Sequence, residues 1–153
     1  MIELQKASYR KDFSFEIDYG ADQELQVHKN LELLYVLSGC VNVQVNGKSL
    51  SLKEDDLLVL NAYEVYQIHY QMNSHTLSLF LGQGILGEHY HSYQCCSKEA
   101  PDPDTFAVLK GFLADMFRYY NKDCESNREE IFSRAHQMLA FLQIHFDDPG
   151  HQA

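Results

Sequence analysis

The chain has 153 residues, 45% hydrophobic and 22% charged, a composition that fits one folded domain with a sound core and excludes a disordered chain. Twelve basic against twenty-two acidic residues give a net charge of −10, which opposes phosphate-driven attraction to nucleic acid or to an anionic membrane. Met1-Ile2-Glu3 begins no basic-then-apolar leader and no apolar run approaches ~18 residues, so a cytoplasmic protein with no membrane contact is expected.

Two weakly alternating segments, Ile2 to Tyr9 and Phe13 to Tyr19, read as strands or as a partly ordered arm, followed by a turn at Gly20-Ala21-Asp22. The next stretch, His28 to Gly39, is the most informative in the chain. Leu31 to Leu37 is apolar at every position except Glu32, which reads as a strand buried on both faces. A carboxylate in such a run needs a partner or water, because desolvating it alone costs several kcal/mol or more. A cavity beside this strand is therefore expected.

Val41 to Val45, Asn46-Gly47 and Lys48 to Leu52 form a hairpin, since Asn-Gly supplies the two positive-φ positions of a tight turn. A two-residue turn pairs Val43 with Leu50 and Val41 with Leu52, apolar against apolar. After the Glu54-Asp55-Asp56 turn come short strands at Leu57 to Leu60, Val65 to Tyr70 and His75 to Leu81, the spacing of a mostly β sandwich or barrel. Residues 85 to 100 are irregular, with one helical turn expected at Ile85 to His89.

Two helices close the chain. Asp102 caps the first, Pro103 opens it, and Leu109, Phe112, Leu113, Met116, Phe117 and Tyr120 make its apolar stripe. Ser126 to Glu129 reads as a capping box opening the second, which Asp148-Pro149-Gly150 ends. Its apolar arc is broad enough for the first helix on one side and another molecule on the other. A homodimer through Ile131, Ala135, Met138 and Leu142 is expected. The resulting division is residues 1–97 as the β unit and 98–153 as a helical dimerisation segment packed on it, in one compact unit. Cys40, Cys95, Cys96 and Cys124 form no CxxC pair and read as reduced packing residues.

The ordered set resembles the N-terminal regulatory domain of AraC-type bacterial transcription factors, a cupin domain. Its carriers are His28 with Glu32 to Gly39, the hairpin Val43 to Gly47, Asp56 to Asn61, Glu64 to Gln67, and the closing helix around Leu139 to Phe146. The resemblance implies a cupin, jelly-roll-like β-barrel that senses a small effector, followed by two C-terminal α-helices that dimerise the regulator. In that family DNA is read by helix-turn-helix motifs, which this sequence does not contain. Its helix pair, apolar and opening on Glu129-Glu130, offers no basic stripe in their place.

Catalytic cupins hold a metal through H-x-H-x(3,4)-E-x(6)-G and a later histidine. Aligned on Glu32 and Gly39, the first histidine position is Gln26, the second is His28, and the later one is Tyr66. Two of four ligands are changed, so no metal or other cofactor is expected. His28, Glu32, Leu34, Asn61, Tyr66 and Tyr70 are instead expected to line a site for a small polar effector, with a sugar-like molecule suiting the carboxylate, amide and hydroxyl groups. The plainer alternative is that His28 and Glu32 pair with each other and close one end of the barrel. His89-Tyr90-His91 reads as a solvated loop, and Gly82-Gln83-Gly84 lacks a phosphate loop's context. No nucleophile–base pair emerges, so no enzyme is expected; the runner-up is a stand-alone cupin enzyme with an atypical metal site.

Overall fold

The Asn-Gly hairpin sets the register of one sheet. In the computed structural model, which describes residues 3–4, 12–20, 24–87, 91–99 and 102–148, Asn46 and Gly47 have φ of 52° and 75°. Val43 pairs with Leu50 and Val41 with Leu52, as expected. The strands are β1 (Glu3–Leu4), β2 (Phe13–Asp18), β3 (Gln26–Val27), β4 (Leu31–Ser38), β5 (Cys40–Val45), β6 (Lys48–Lys53), β7 (Leu57–Leu60), β8 (Tyr66–Tyr70) and β9 (His75–Leu81). Three helices follow: α1 (Gln83–Leu86), α2 (Pro103–Asp123) and α3 (Arg128–Phe146). The helical turn expected at Ile85 to His89 is thus α1, beginning two residues earlier. The segments expected at Ile2 to Tyr9, Ala21-Asp22, His89-Tyr90 and Pro149-Gly150 lie wholly or largely outside the described residues.

The strands form two sheets, in the orders β1-β3-β8-β5-β6 and β2-β9-β4-β7. Their inner faces meet in one core of Leu34, Val36, Val41, Val43, Leu52, Leu58, Leu60, Tyr66, Ile68 and Tyr70. The outer face of the second sheet buries Phe13, Phe15, Leu31, Leu33, Leu57, Leu77, Leu79 and Leu81 against the helices. Strand β4 therefore serves two cores through its two faces, as an apolar run interrupted only by Glu32 between Leu31 and Leu37 requires.

The expected closed barrel gives way to two facing sheets, and strand and helix claim similar shares of the described chain. Strands β6 and β7 end their sheets without pairing to each other. A strap at residues 95–97 takes the free edge of β7: Val59 N donates to Cys95 O at 2.9 Å and Ser97 N to Leu57 O at 2.9 Å. Covering an edge in this way satisfies its backbone groups without barrel closure. At the other end of β4, Gly39 has φ of +77°, and a Cβ there would overlap Ser74 Oγ and sit 2.8 Å from Ser74 Cα. Ser74 Oγ in turn accepts from Cys40 N at 2.9 Å.

Helix α2 begins as expected, with Asp102 accepting from the backbone of Asp104 and Thr105 behind Pro103. The capping box expected at Ser126 to Glu129 does not form. Asn127 occupies the N-cap position without a capping side-chain bond; its amide donates to Tyr119 O at 3.2 Å instead, closing the turn between helices.

The four positions expected at a dimer interface require correction. Ile131, Ala135, Met138 and Leu142 are each 0% exposed and sit in the chain's own core. They form the stripe that packs α3 on α2 and the sheet, so they are already occupied. The large apolar residues that α2 and α3 leave towards solvent are Val108 and Ile144, and Phe112 and Phe141, one on each helix, are half-buried with their rings 6.3 Å apart.

Candidate functional site

Glu32 points between the two sheets, and four strands or their flanks converge on it. Across β4 it stands opposite Phe80 of β9 and Leu60 of β7. Its Oε1 accepts from Tyr66 Oη of β8 at 2.6 Å, and its Oε2 from Ser78 Oγ of β9 at 2.6 Å. His28, just before β4, brings Nε2 to 2.8 Å from Tyr66 Oη and 3.3 Å from Glu32 Oε1. The other ring nitrogen, Nδ1, lies 3.0 Å from the Asn30 carbonyl. A carbonyl only accepts, so this nitrogen carries a proton and fixes the ring's orientation. Edge contacts with Tyr66 and Phe80 hold the imidazole from either side.

The cluster is sealed and internally satisfied. His28, Glu32, Tyr66 and Ser78 are each 2% exposed or less, and the carboxylate has a donor on each oxygen. Burial, then the neighbouring Glu32 carboxylate, pushes the Tyr66 hydroxyl well above its ordinary pKa. Tyr66 therefore stays protonated and serves as a donor to that carboxylate. Glu32, Leu34 and Val36 alternate along β4, as Tyr66, Ile68 and Tyr70 do along β8, and all six lie on the inward side.

The other expected ligand residues are placed differently. Leu34 is fully buried in the inner core. Tyr70 Oη lies 2.7 Å from Thr76 Oγ1, and burial, the largest cause, raises its pKa. Asn61 does not join the Glu32 cluster. Its Nδ2 donates to Tyr93 O and Glu64 Oε1, and its Oδ1 accepts from Tyr93 N at 2.8 Å. Asn61 thereby moors the strap that covers β7. It also lines, with Val45, Leu50, Leu58, Glu64 and Tyr93, a cavity of about 240 Å³ at the gap between β6 and β7.

Ser78, Phe80 and Thr76 were missed by the sequence reading. Their signal lay in His75 to Leu81, where Thr76, Ser78 and Phe80 alternate with leucines, putting two small hydroxyls on the face opposite the leucine row. The buried thiols of Cys95 and Cys96 have raised pKa values, chiefly through burial, as packing groups would. No described helix is long and apolar enough to cross a membrane.

Among solved structures, a conserved protein of unknown function from Streptococcus pyogenes has 12% identity and a TM-score of 0.45, over 53% of this chain and 80% of that one. KdgF from Halomonas sp. has 21% identity and a TM-score of 0.43, over 47% and 71%. An RmlC-like cupin from Shewanella frigidimarina has 17% identity and a TM-score of 0.43, over 48% and 68%. A sequence search of curated proteins returns no match. The family model of the AraC-like ligand binding domain matches residues 18–139, a span that includes strands β3 to β9, the Glu32 cluster and most of the helical layer. The chain belongs to the AraC-like ligand binding domain family.

Proposed function

We propose that this chain is the effector-sensing and dimerisation domain of a cytoplasmic transcription regulator, and that it senses a small polar molecule without transforming it. The observation that carries the reading is the Glu32 cluster: a carboxylate, a phenol, an imidazole and a hydroxyl gathered between two sheets of a ligand-binding family. At 2% exposure or less, the cluster does not meet solvent directly. The effector would enter at the β6–β7 gap, where the 240 Å³ cavity lies, and would exchange its own hydroxyls for those of Tyr66 and Ser78. A sugar-like molecule can make that exchange because it both donates and accepts. DNA contact would fall to a separate helix-turn-helix domain, since the acidic chain repels phosphates.

Dimerisation would use the solvent side of the helical layer. Val108 is 44% exposed and Ile144 77% exposed, and Phe112 and Phe141 of the same two helices are half-buried against each other. A thermal-shift screen of sugars and related metabolites tests the sensing function, because a ligand of the native state raises apparent stability by mass action. A hit that Glu32→Gln abolishes supports the reading. A stoichiometric transition metal bound at Glu32, with turnover of a small acid or sugar, would replace it with a cupin enzyme. Light scattering at tens of micromolar tests the dimer, and a strict monomer would remove that part.

A further inference from the structure

A second cavity, of about 340 Å³, lies on the opposite side of the sheet from the Glu32 cluster, between the outer face of the β2-β9-β4 strands and helix α2. Its sheet wall is Ile17, Leu37 and Leu77, and its helix wall is Leu113, Ala114 and Phe117. We propose that this cavity is a binding site for a small, neutral, largely apolar molecule, of the size of one or two fused aromatic rings. The proposal is independent of the site between the sheets.

Size is the first argument. The volume falls within the roughly 300–1,000 Å³ of small-molecule pockets, and is many times the ~30 Å³ that one water occupies in the liquid. The second argument is the polar rim, which sets the ligand's charge. Lys110 Nζ lies 2.9 Å from Asp55 Oδ2, and Tyr35 Oη donates to Asp55 Oδ1 at 2.6 Å. The charges that line the cavity, Lys110 and Asp55, thus pair with each other, and the phenol's proton is already donated. An ionic ligand would compete with that pair and carry its charge against apolar walls, whereas a neutral ring meets those walls at once.

The third argument is what the walls already expose. Ile17 and Leu37 are 38% and 39% exposed, although most of their sheet face is buried under helices. A ligand there would remove apolar surface from water without displacing any side chain. Phe117 is held against Phe15 with ring centroids 5.2 Å apart, so the helix wall is preformed. The occupant would touch the sheet and α2 together and so couple the two layers. A macromolecular partner fits less well, because the apolar surface is concave and sized for one small molecule.

The test is a titration of the ¹⁵N-labelled full chain with indole, read by amide and side-chain shifts. Saturable shifts at Ile17, Leu77 and Leu113, at submillimolar to low millimolar indole, are expected. They should be reduced at least tenfold in apparent affinity by Ala114→Trp, which fills the cavity from an exposed helix position, and by Leu37→Trp should that variant fold better. Indole-3-carboxylate should bind at least tenfold more weakly than indole. The proposal fails if no saturable shifts occur up to 5–10 mM, on the order of the weakest affinities measurable for a fragment. It also fails if the shifts map to Val43 and Ile68 between the sheets, if the carboxylate binds as well as indole, or if the same residues shift with protein concentration alone, which would make the cavity a contact between copies.

Discussion

The two faces of strand β4 carry different kinds of chemistry on one backbone. Its inner face presents Glu32, Leu34 and Val36, and its outer face Leu31, Leu33 and Tyr35. Inside, a carboxylate is fully desolvated and every oxygen has a donor. Outside, the polar groups retreat to the rim at Tyr35 and Asp55, and the space between sheet and helix is apolar. A buried carboxylate is tolerable only because its partners come from β8, from β9 and from His28 ahead of β4, so the inner face is specified by several elements at once. The outer face asks only for apolar volume and tolerates a gap. The inner face is therefore suited to polar recognition, and the outer one to apolar recognition.

The largest expected effect is on the inner face. Glu32→Leu removes the acceptor from Tyr66 and Ser78 and leaves both hydroxyls buried with His28. The cost should be about 3–5 kcal/mol, comparable to breaking a buried charged network by deleting one member. Urea unfolding measures it, and a loss under about 1 kcal/mol would mean that the cluster is wet and loosely held. The outer face answers through size alone. Leu142→Ala should cost about 2–5 kcal/mol through its cavity, whereas Ile144→Ala, at an exposed position of the same helix, should cost less than about 0.5 kcal/mol. If Leu142→Ala instead split a dimer while leaving the monomer's stability intact, the assignment of α3's two faces would be reversed.

Gly39→Ala probes the end of β4 where both faces stop. Positive φ and the overlap with Ser74 act together there, and Ser74 also holds Cys40 N. A loss of about 2 kcal/mol is expected, combining the backbone cost of a non-glycine residue with displacement of Ser74. A neutral substitution would show that the β4–β5 turn yields easily.

Much of this was legible in the sequence because it is local. The Asn46-Gly47 hairpin follows from two turn residues and an alternation, and Glu32 stood out as a carboxylate in an apolar run. The residues that answer Glu32 were less visible: Ser78 lies 46 positions away and is one hydroxyl among leucines. Closure of the sheets is overestimated from sequence because the strap at residues 95–97 has no period; it covers β7 through backbone bonds that any residue can make, supplemented by Ser97 Oγ, which accepts from Leu57 N at 2.8 Å. The direction of α3 was hidden for another reason. An arc containing Ile131, Ala135, Met138, Leu142, Phe141 and Ile144 is wide enough to supply two faces, and hydrophobicity alone does not say which one the chain keeps for itself.

The smallest expected effect isolates the rim of the outer cavity. Burial, followed by the bond to Asp55, raises the Tyr35 hydroxyl to about 12. Between its unfolded value near 10 and that folded value, the native chain holds a proton that the unfolded chain has released. Stability from this group is therefore complete below about pH 10 and declines as pH rises towards 12. Tyr66, Tyr70 and Tyr93 are raised too, so alkaline destabilisation as a whole does not report on Tyr35. The difference between the wild type and Tyr35→Phe does: the variant should lose a little stability at pH 8, under about 1 kcal/mol for a partly exposed hydrogen bond, and the gap should narrow as pH climbs past 10. A gap that stayed constant to pH 12 would show that the phenol and Asp55 are not joined at the mouth of the cavity, and the rim would then be open to a charged ligand.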